Sequence, residues 1–213
     1  MKFLLCFISI LTVICLSFVT HAATKVRFYL SQDSFDVVLY DFTPKHKLMF
    51  LTAIKSGEYS HSLFNRIVAN FVVQGGVHDV DIAAQEKQNG KSNGRLMPEF
   101  DERAYHKLGA LGAGRDDNKD KASFFNQIYF VVGKPWDERQ LDSLSKKTGK
   151  NWTLQQKKDY LKLGGQPRLD NDYTVFGEVI SGIDVLMRLS MVPVDKEHYP
   201  LEEIYFSVKV LQE

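Results

Sequence analysis

The chain has 213 residues, with 27 Lys and Arg against 26 Asp and Glu, so its formal charge is only +1. That balance argues against nucleic acid or an anionic membrane surface as a partner. Both cysteines, Cys6 and Cys15, lie in the apolar N-terminal run, so the rest of the chain has no disulfide, thiolate catalysis or cysteine-based zinc site.

Met1 and Lys2 precede an apolar stretch, residues 3–19, followed by Thr20, His21, Ala22 and Ala23. This layout predicts a signal peptide over residues 1–22, cleaved after Ala22, and a soluble product exported to the periplasm or cell envelope. The run is nearly long enough to span a bilayer but lacks a charged stop-transfer flank. Lipid attachment at Cys15 is disfavoured by Ile14, which stands where a small residue is needed. The remaining length, about 190 residues, suits one domain over residues 23–213.

Residues 25–30 and 35–40 alternate apolar with polar around a turn-like Ser31-Gln32-Asp33-Ser34, which predicts a half-buried hairpin. Thr43 and Pro44 supply a capping hydroxyl and a first-turn proline, and Gly57 supplies a stop. In the helix between them, Leu48, Phe50, Leu51 and Ile54 cover enough of the circumference to pack it on a sheet. Two short β segments follow, residues 63–68 and 71–74, ending in Gly75-Gly76. Further strands are predicted at 109–114, 127–132, 174–180 and 204–211, with a solvated loop over 115–121 and a short helix over 183–189. Residues 134–166 differ: 137–147 and 153–163 have helical spacing, with Leu141, Leu144, Leu154, Tyr160 and Leu161 as apolar positions. Thr153 and Gln156 form a capping-box pattern there. Many strands with one early and one late helix predict a closed antiparallel barrel with a helix at each mouth, interrupted by a helical hairpin.

The second β pair holds the chemistry. Arg66 and Gln74 are polar residues surrounded by apolar ones and are eight residues apart, a spacing that puts both on one face if the corner at Ala69-Asn70 adds no flip. A guanidinium with five donors is costly among aromatic and β-branched neighbours unless something accepts from it. Gln74 can accept one bond and leave the other donors for a ligand.

The run Phe64-Asn65-Arg66-Ile67-Val68-Ala69-Asn70-Phe71-Val72-Val73-Gln74-Gly75-Gly76 resembles the signature of the cyclophilins, the peptidyl-prolyl cis-trans isomerases. The likeness is collinear over most of residues 23–213 and takes in Tyr173-Thr174-Val175-Phe176-Gly177-Glu178-Val179. It implies a mainly β, closed eight-stranded antiparallel barrel capped by two helices. It also implies no cofactor or metal and action on proline-containing unfolded or flexible polypeptides; the balanced charge and single-domain length make a monomer the default. By position, Arg66 resembles the catalytic arginine and Gln74 its orienting partner. Phe71 and Val72 would floor the proline pocket, with Tyr129 and Leu169 as walls and Tyr173 in the place of a family histidine. Gly114 would lie beneath the residue preceding proline, and Gln127 would bond the substrate backbone. The stretch Gly164-Gly165-Gln166-Pro167-Arg168-Leu169-Asp170 resembles one that follows a helical insertion in some bacterial members.

The departures from the family pattern carry expectations of their own. Arg115 replaces an asparagine whose backbone bonds the peptide. Arg168 stands where many members have tryptophan or histidine, which adds charge at the rim and weakens binding of cyclosporin-like cyclic peptides. Phe124-Phe125-Asn126 replaces small residues, so a bulky ring is expected to distort that loop or narrow the neighbouring subsite. Two functions fit these residues: an isomerase, or a catalytically weak module that holds proline-containing segments. The histidines are scattered without ligand spacing and read as surface or boundary residues. Asp116 to Asp120 lacks the glycine and glutamate of an EF-hand and reads as a solvated loop.

Overall fold

The computed structural model describes residues 23–89 and 94–212; the expected signal peptide lies outside them. Eight strands form the barrel: β1 (Lys25–Tyr29), β2 (Ser34–Leu39), β3 (Ser62–Val68), β4 (Val72–Gly76), β5 (Ala110–Ala113), β6 (Gln127–Val131), β7 (Val175–Ser181) and β8 (Ile204–Gln212). They close in the order β1-β2-β7-β5-β6-β4-β3-β8, with every pairing antiparallel. The predicted closed antiparallel architecture is the observed one, and closure leaves no unpaired edge among these strands.

Alternation decides what goes inside. Val26 and Phe28 of β1, Ile128 and Phe130 of β6, and Phe206 and Val208 of β8 all join one interior cluster. Phe28 stacks on Phe35 with ring centres 4.9 Å apart and meets Phe130 edge-on at 5.0 Å. Strand β3 departs from simple alternation. Its register shifts between Phe64 and Arg66, a bulge that lets Phe64 and Ile67, three residues apart, both enter the interior cluster.

Two helices plug this interior. Helix α1 (Pro44–Lys55) contributes Phe50, Leu51 and Ala53, and a late helix, Ile183–Leu189, contributes Val185, Leu186 and Leu189. Two expectations for α1 are corrected. Leu48 is exposed, because the barrel covers only the face bearing His46, Met49, Phe50, Leu51 and Ala53. The Thr43 hydroxyl does not cap the helix; it donates to the Tyr40 carbonyl. The first-turn amides of Lys45 and His46 donate instead to the Glu99 carboxylate, at 3.0 and 2.8 Å.

Helix α2 (Asp79–Asn89) was not expected from the sequence. Ile82 is its one apolar side chain in the buried core, too few to write a helical stripe. Between β6 and β7 lie α3 (Glu138–Thr148) and α4 (Leu154–Lys162). Each starts in a capping box, Asp137 with Gln140 and Thr153 with Gln156, and α3 stops at left-handed Gly149. Leu141 and Tyr160 pack with Tyr105 and Trp152 into a separate small core. Leu154 is exposed rather than part of that core, since it occupies the first turn of α4.

Candidate active site

The site lies on the outer face of the same strands. Arg66 and Gln74 are direct cross-strand partners in the β3–β4 pair, so they share that face. An Arg66 Nη1–H points at Gln74 Oε1 at 3.4 Å. Arg66 is half-buried, whereas Gln74 is buried and its Nε2 has no hydrogen-bond partner among the described residues. A buried amide donor without an acceptor is expensive, roughly 1–3 kcal/mol. Next to a cation it marks a place where a carbonyl would be welcome.

Beside this pair is a second hydrophobic cluster. Val72, Ala110, Tyr129, Val131 and Val175 are its buried members, and Phe71 and Tyr173 pack against it. The expected floor, Phe71 and Val72, and the expected wall Tyr129 therefore come together with Tyr173, while Leu169 is not part of this cluster; the rings of the two tyrosines meet edge-on at 6.0 Å. Leu169 is buried in a short 3-10 turn, Pro167–Leu169. That turn is tied to the β3–β4 corner by the Gln166 side-chain amide, which donates to the Asn70 carbonyl at 2.7 Å. Gly112 is needed under Tyr129: a Cβ there would sit 2.2 Å from the phenol ring carbon.

The two rim arginines behave differently. Arg168 is exposed and lies over the Phe71 ring, 4.4 Å from its centre, so a cation covers part of the slot floor. Arg115 is turned away from solvent. Its guanidinium donates to the Asp172 carbonyl at 2.8 Å, pairs with the Asp172 carboxylate at 3.0 Å, and lies 4.4 Å over Tyr173. It braces a wall instead of extending the rim.

Gln127 is buried, and its Oε1 fills the space over Gly114 that a Cβ would need. Its Nε2 donates to the Val77 carbonyl at 3.1 Å and to the Asp79 carboxylate. The donors Gln127 would offer a peptide are thus committed to the start of α2. The Phe124-Phe125 pair is accommodated on that same side. Phe124 is buried under the Arg95 guanidinium, 4.5 Å from its ring centre. The Phe125 ring lies against Gly94 and borders a cleft with Val77, Ile82 and Gln85.

Two histidines correct the expectation of surface residues: His46 and His106 are fully buried. His46 meets Glu99 at 2.7 Å and Ser123 at 3.1 Å. Burial lowers its pKa, against the pull of Glu99, so the ring stays neutral. The arrangement resembles a hydrolytic triad only on paper, since Ser123 has no exposure at all. His106 reaches the Tyr129 hydroxyl with Nε2 at 2.8 Å and Asp170 with Nδ1 at 2.8 Å. Burial holds the Tyr129 hydroxyl pKa far above its usual value, so it remains a protonated donor. No spacing in the sequence marks His106 as part of this site; Tyr129 and Asp170 meet it only through the fold. A cavity of about 690 Å³ near Tyr29, His61 and Tyr205 contains none of these residues.

The family model for cyclophilin type peptidyl-prolyl cis-trans isomerases matches residues 25–210. A Staphylococcus saprophyticus protein named "Putative peptidyl-prolyl cis-trans isomerase" is 30% identical over 167 residues, 78% of this chain and 80% of its own length. A protein of the same name from Staphylococcus aureus is 29% identical over 77% of this chain and 79% of its own length. Among solved structures, a Cryptosporidium parvum cyclophilin type peptidyl-prolyl cis-trans isomerase superposes with a TM-score of 0.64 at 20% identity, covering 90% of this chain and 99% of that one. The same Cryptosporidium protein in the presence of the dipeptide Ala-Pro superposes with a TM-score of 0.62 at 21% identity, covering 89% and 99%. With the signature pair on the barrel's outer face beside an apolar slot, and a family model spanning the whole barrel, this chain belongs to the cyclophilin-type peptidyl-prolyl cis-trans isomerases.

Proposed function

We propose that this protein accelerates rotation about Xaa-Pro bonds by arginine-assisted stabilisation of the twisted amide, acting on exported polypeptides as they fold. A peptide bond before proline exchanges over a barrier near ~20 kcal/mol because rotation sacrifices amide resonance. No covalent step is needed. When the amide twists, its nitrogen becomes pyramidal and can accept a hydrogen bond, which it cannot do when planar. A donor placed to meet that nitrogen favours the transition state over the ground state. Arg66 supplies such donors, and Gln74 orients it through the 3.4 Å contact.

The observation that carries this reading is the unpartnered Gln74 Nε2 beside half-exposed Arg66, at the edge of the cluster formed by Val72, Tyr129, Phe71 and Tyr173. Apolar walls exclude water from a bound proline ring, and exclusion strengthens the charge–dipole interaction. The Ala-Pro dipeptide named with the Cryptosporidium relative supports a proline-containing peptide as substrate. Export to the periplasm or cell envelope, as a monomer, is the reading of the N-terminal layout and the balanced charge.

The test is isomerisation of a short Xaa-Pro peptide followed by NMR exchange. Arg66→Ala is expected to lose about two to three orders of magnitude in rate with the fold intact. Equal rates for the variant and the wild type would overturn the mechanism.

A further inference from the structure

We propose that the α3–α4 segment sets the position of the pocket tyrosine through a buried relay, running from Trp152 and Tyr160 to Asp170, then His106, then Tyr129. His106 and Asp170 are thereby positioning residues for isomerisation, an inference that rests on the functional reading above.

The relay is continuous and buried. The Trp152 indole N–H donates to Asp170 Oδ2 at 2.8 Å, and the Tyr160 hydroxyl donates to the same oxygen at 2.6 Å. Asp170 Oδ1 accepts from the His106 backbone N–H at 2.9 Å and from its ring Nδ1 at 2.8 Å. Trp152, Tyr160, Asp170, His106 and Tyr129 are all buried. A carboxylate accepts only, so four donors use up its capacity. Burial opposes its ionisation, but the His106 and Tyr160 bonds outweigh it and hold Asp170 below the usual carboxylate range.

Asp170 can only accept, so His106 Nδ1 carries a proton, and its Nε2 stands 2.8 Å from the Tyr129 hydroxyl. Displacing Tyr129 would strand a buried hydroxyl and a buried imidazole nitrogen at once. The ring is also trapped from below by Gly112. A wall held in place before substrate arrives does not have to be ordered in the transition state, which is where pre-organisation raises rate. Asp170 also directly follows Leu169, the other expected wall, at the end of its 3-10 turn.

A purely structural network would predict lost stability and independent effects on rate; a relay acting through Tyr129 predicts that its effects vanish when the phenol oxygen is gone. Trp152→Phe and Tyr160→Phe are each expected to lower kcat about three- to tenfold with KM nearly unchanged, and Tyr129→Phe to do the same. In the Tyr129→Phe background, adding Trp152→Phe is expected to cost nothing further in kcat. Losses that multiply in the double variant, in an active wild type, overturn the relay alone. A wild type without isomerisation above background overturns the functional reading and the relay with it. Should Trp152→Phe fail to fold, the wild type decides by NMR: saturation with an Ala-Pro-containing peptide is expected to move the Trp152 indole N–H resonance. A stationary resonance in the presence of bound peptide sinks the proposal.

Discussion

Strands β4, β5 and β6 each send alternate residues into the barrel and onto the slot, and the two faces are built on different principles. The interior holds Val73, Leu111, Ile128 and Phe130 among stacked phenylalanines. The outer face holds Val72, Ala110 and Tyr129, interleaved with Arg66, Gln74 and Gln127 and backed by His106. Inside, non-directional apolar burial and shape dominate, and the buried Tyr59 hydroxyl is the exception, without a partner among the described residues. Outside, each polar group needs a particular partner, and Gln74 Nε2 is left without one among the described residues. On the proposed function, the difference teaches that stability and rate reside in side chains of the same strands separated by one residue.

That division is breakable by mutation. The Arg66→Ala variant, with its loss of rate by orders of magnitude, is the strongest test on the outer side, and its melting temperature is expected to stay close to wild type. On the inner side Phe28→Ala should cost about 3–5 kcal/mol of stability by chemical denaturation, because its ring touches Phe35, Phe50, Phe130 and Phe206. The fraction still folded is expected to retain the wild-type rate per molecule. A large fall in kcat for that folded fraction would mean that the two faces are not separable.

Glu99 sharpens the comparison through pH. Burial raises its pKa, but bonds from the His46 ring and from the His46 and Lys45 amides outweigh burial and leave it lowered. A depressed carboxylate contributes stability that is complete above its unfolded value, near ~4.3, and is lost as pH falls through the folded value. His46, depressed by burial, adds a loss of the same sign as pH falls below about 6.5. Glu99→Gln should therefore lower stability by about 1–2 kcal/mol at pH 7 and flatten the acid limb of the melting curve. An acid limb as steep as that of wild type would show that α1 is capped by something else.

The smallest effect is expected at Arg168. With its guanidinium over Phe71, a substrate proline must share or displace that contact, so Arg168→Ala should lower KM by about two- to fivefold with kcat unchanged. A raised KM would assign Arg168 to substrate contact instead.

Much of the barrel was legible because a strand with one buried face writes its burial in steps of two. In β1, Val26 and Phe28 are buried between half-buried neighbours and carry that signal directly, whereas β6 is buried along its whole length. A capping box made α4 readable at its start, since the donor and acceptor are three residues apart, while α3 was read from its helical spacing. Helix α2 was not, because one buried Ile82 has no period. The Thr43 cap failed for another reason: the acceptor that won, Glu99, is more than fifty residues away in sequence. The site divides the same way. Arg66 and Gln74 were visible as polar residues inside an apolar run, whereas His106 looked like any scattered histidine. Local patterns record local bonds, and His106 bonds across 64 and 23 residues of sequence.

By itself the sequence determined the strand alternation, the Arg66–Gln74 pair and the likeness to the cyclophilins, because each is written in residues close together along the chain. Tertiary structure alone decided the bulge that puts Arg66 outside while Phe64 and Ile67 go in. It also decided the commitment of Gln127 to the start of α2, the brace of Arg115 on Tyr173, and the burial of His106 between Tyr129 and Asp170. Each of these depends on which polar group finds which partner once water is excluded, and that choice is made only when distant segments meet.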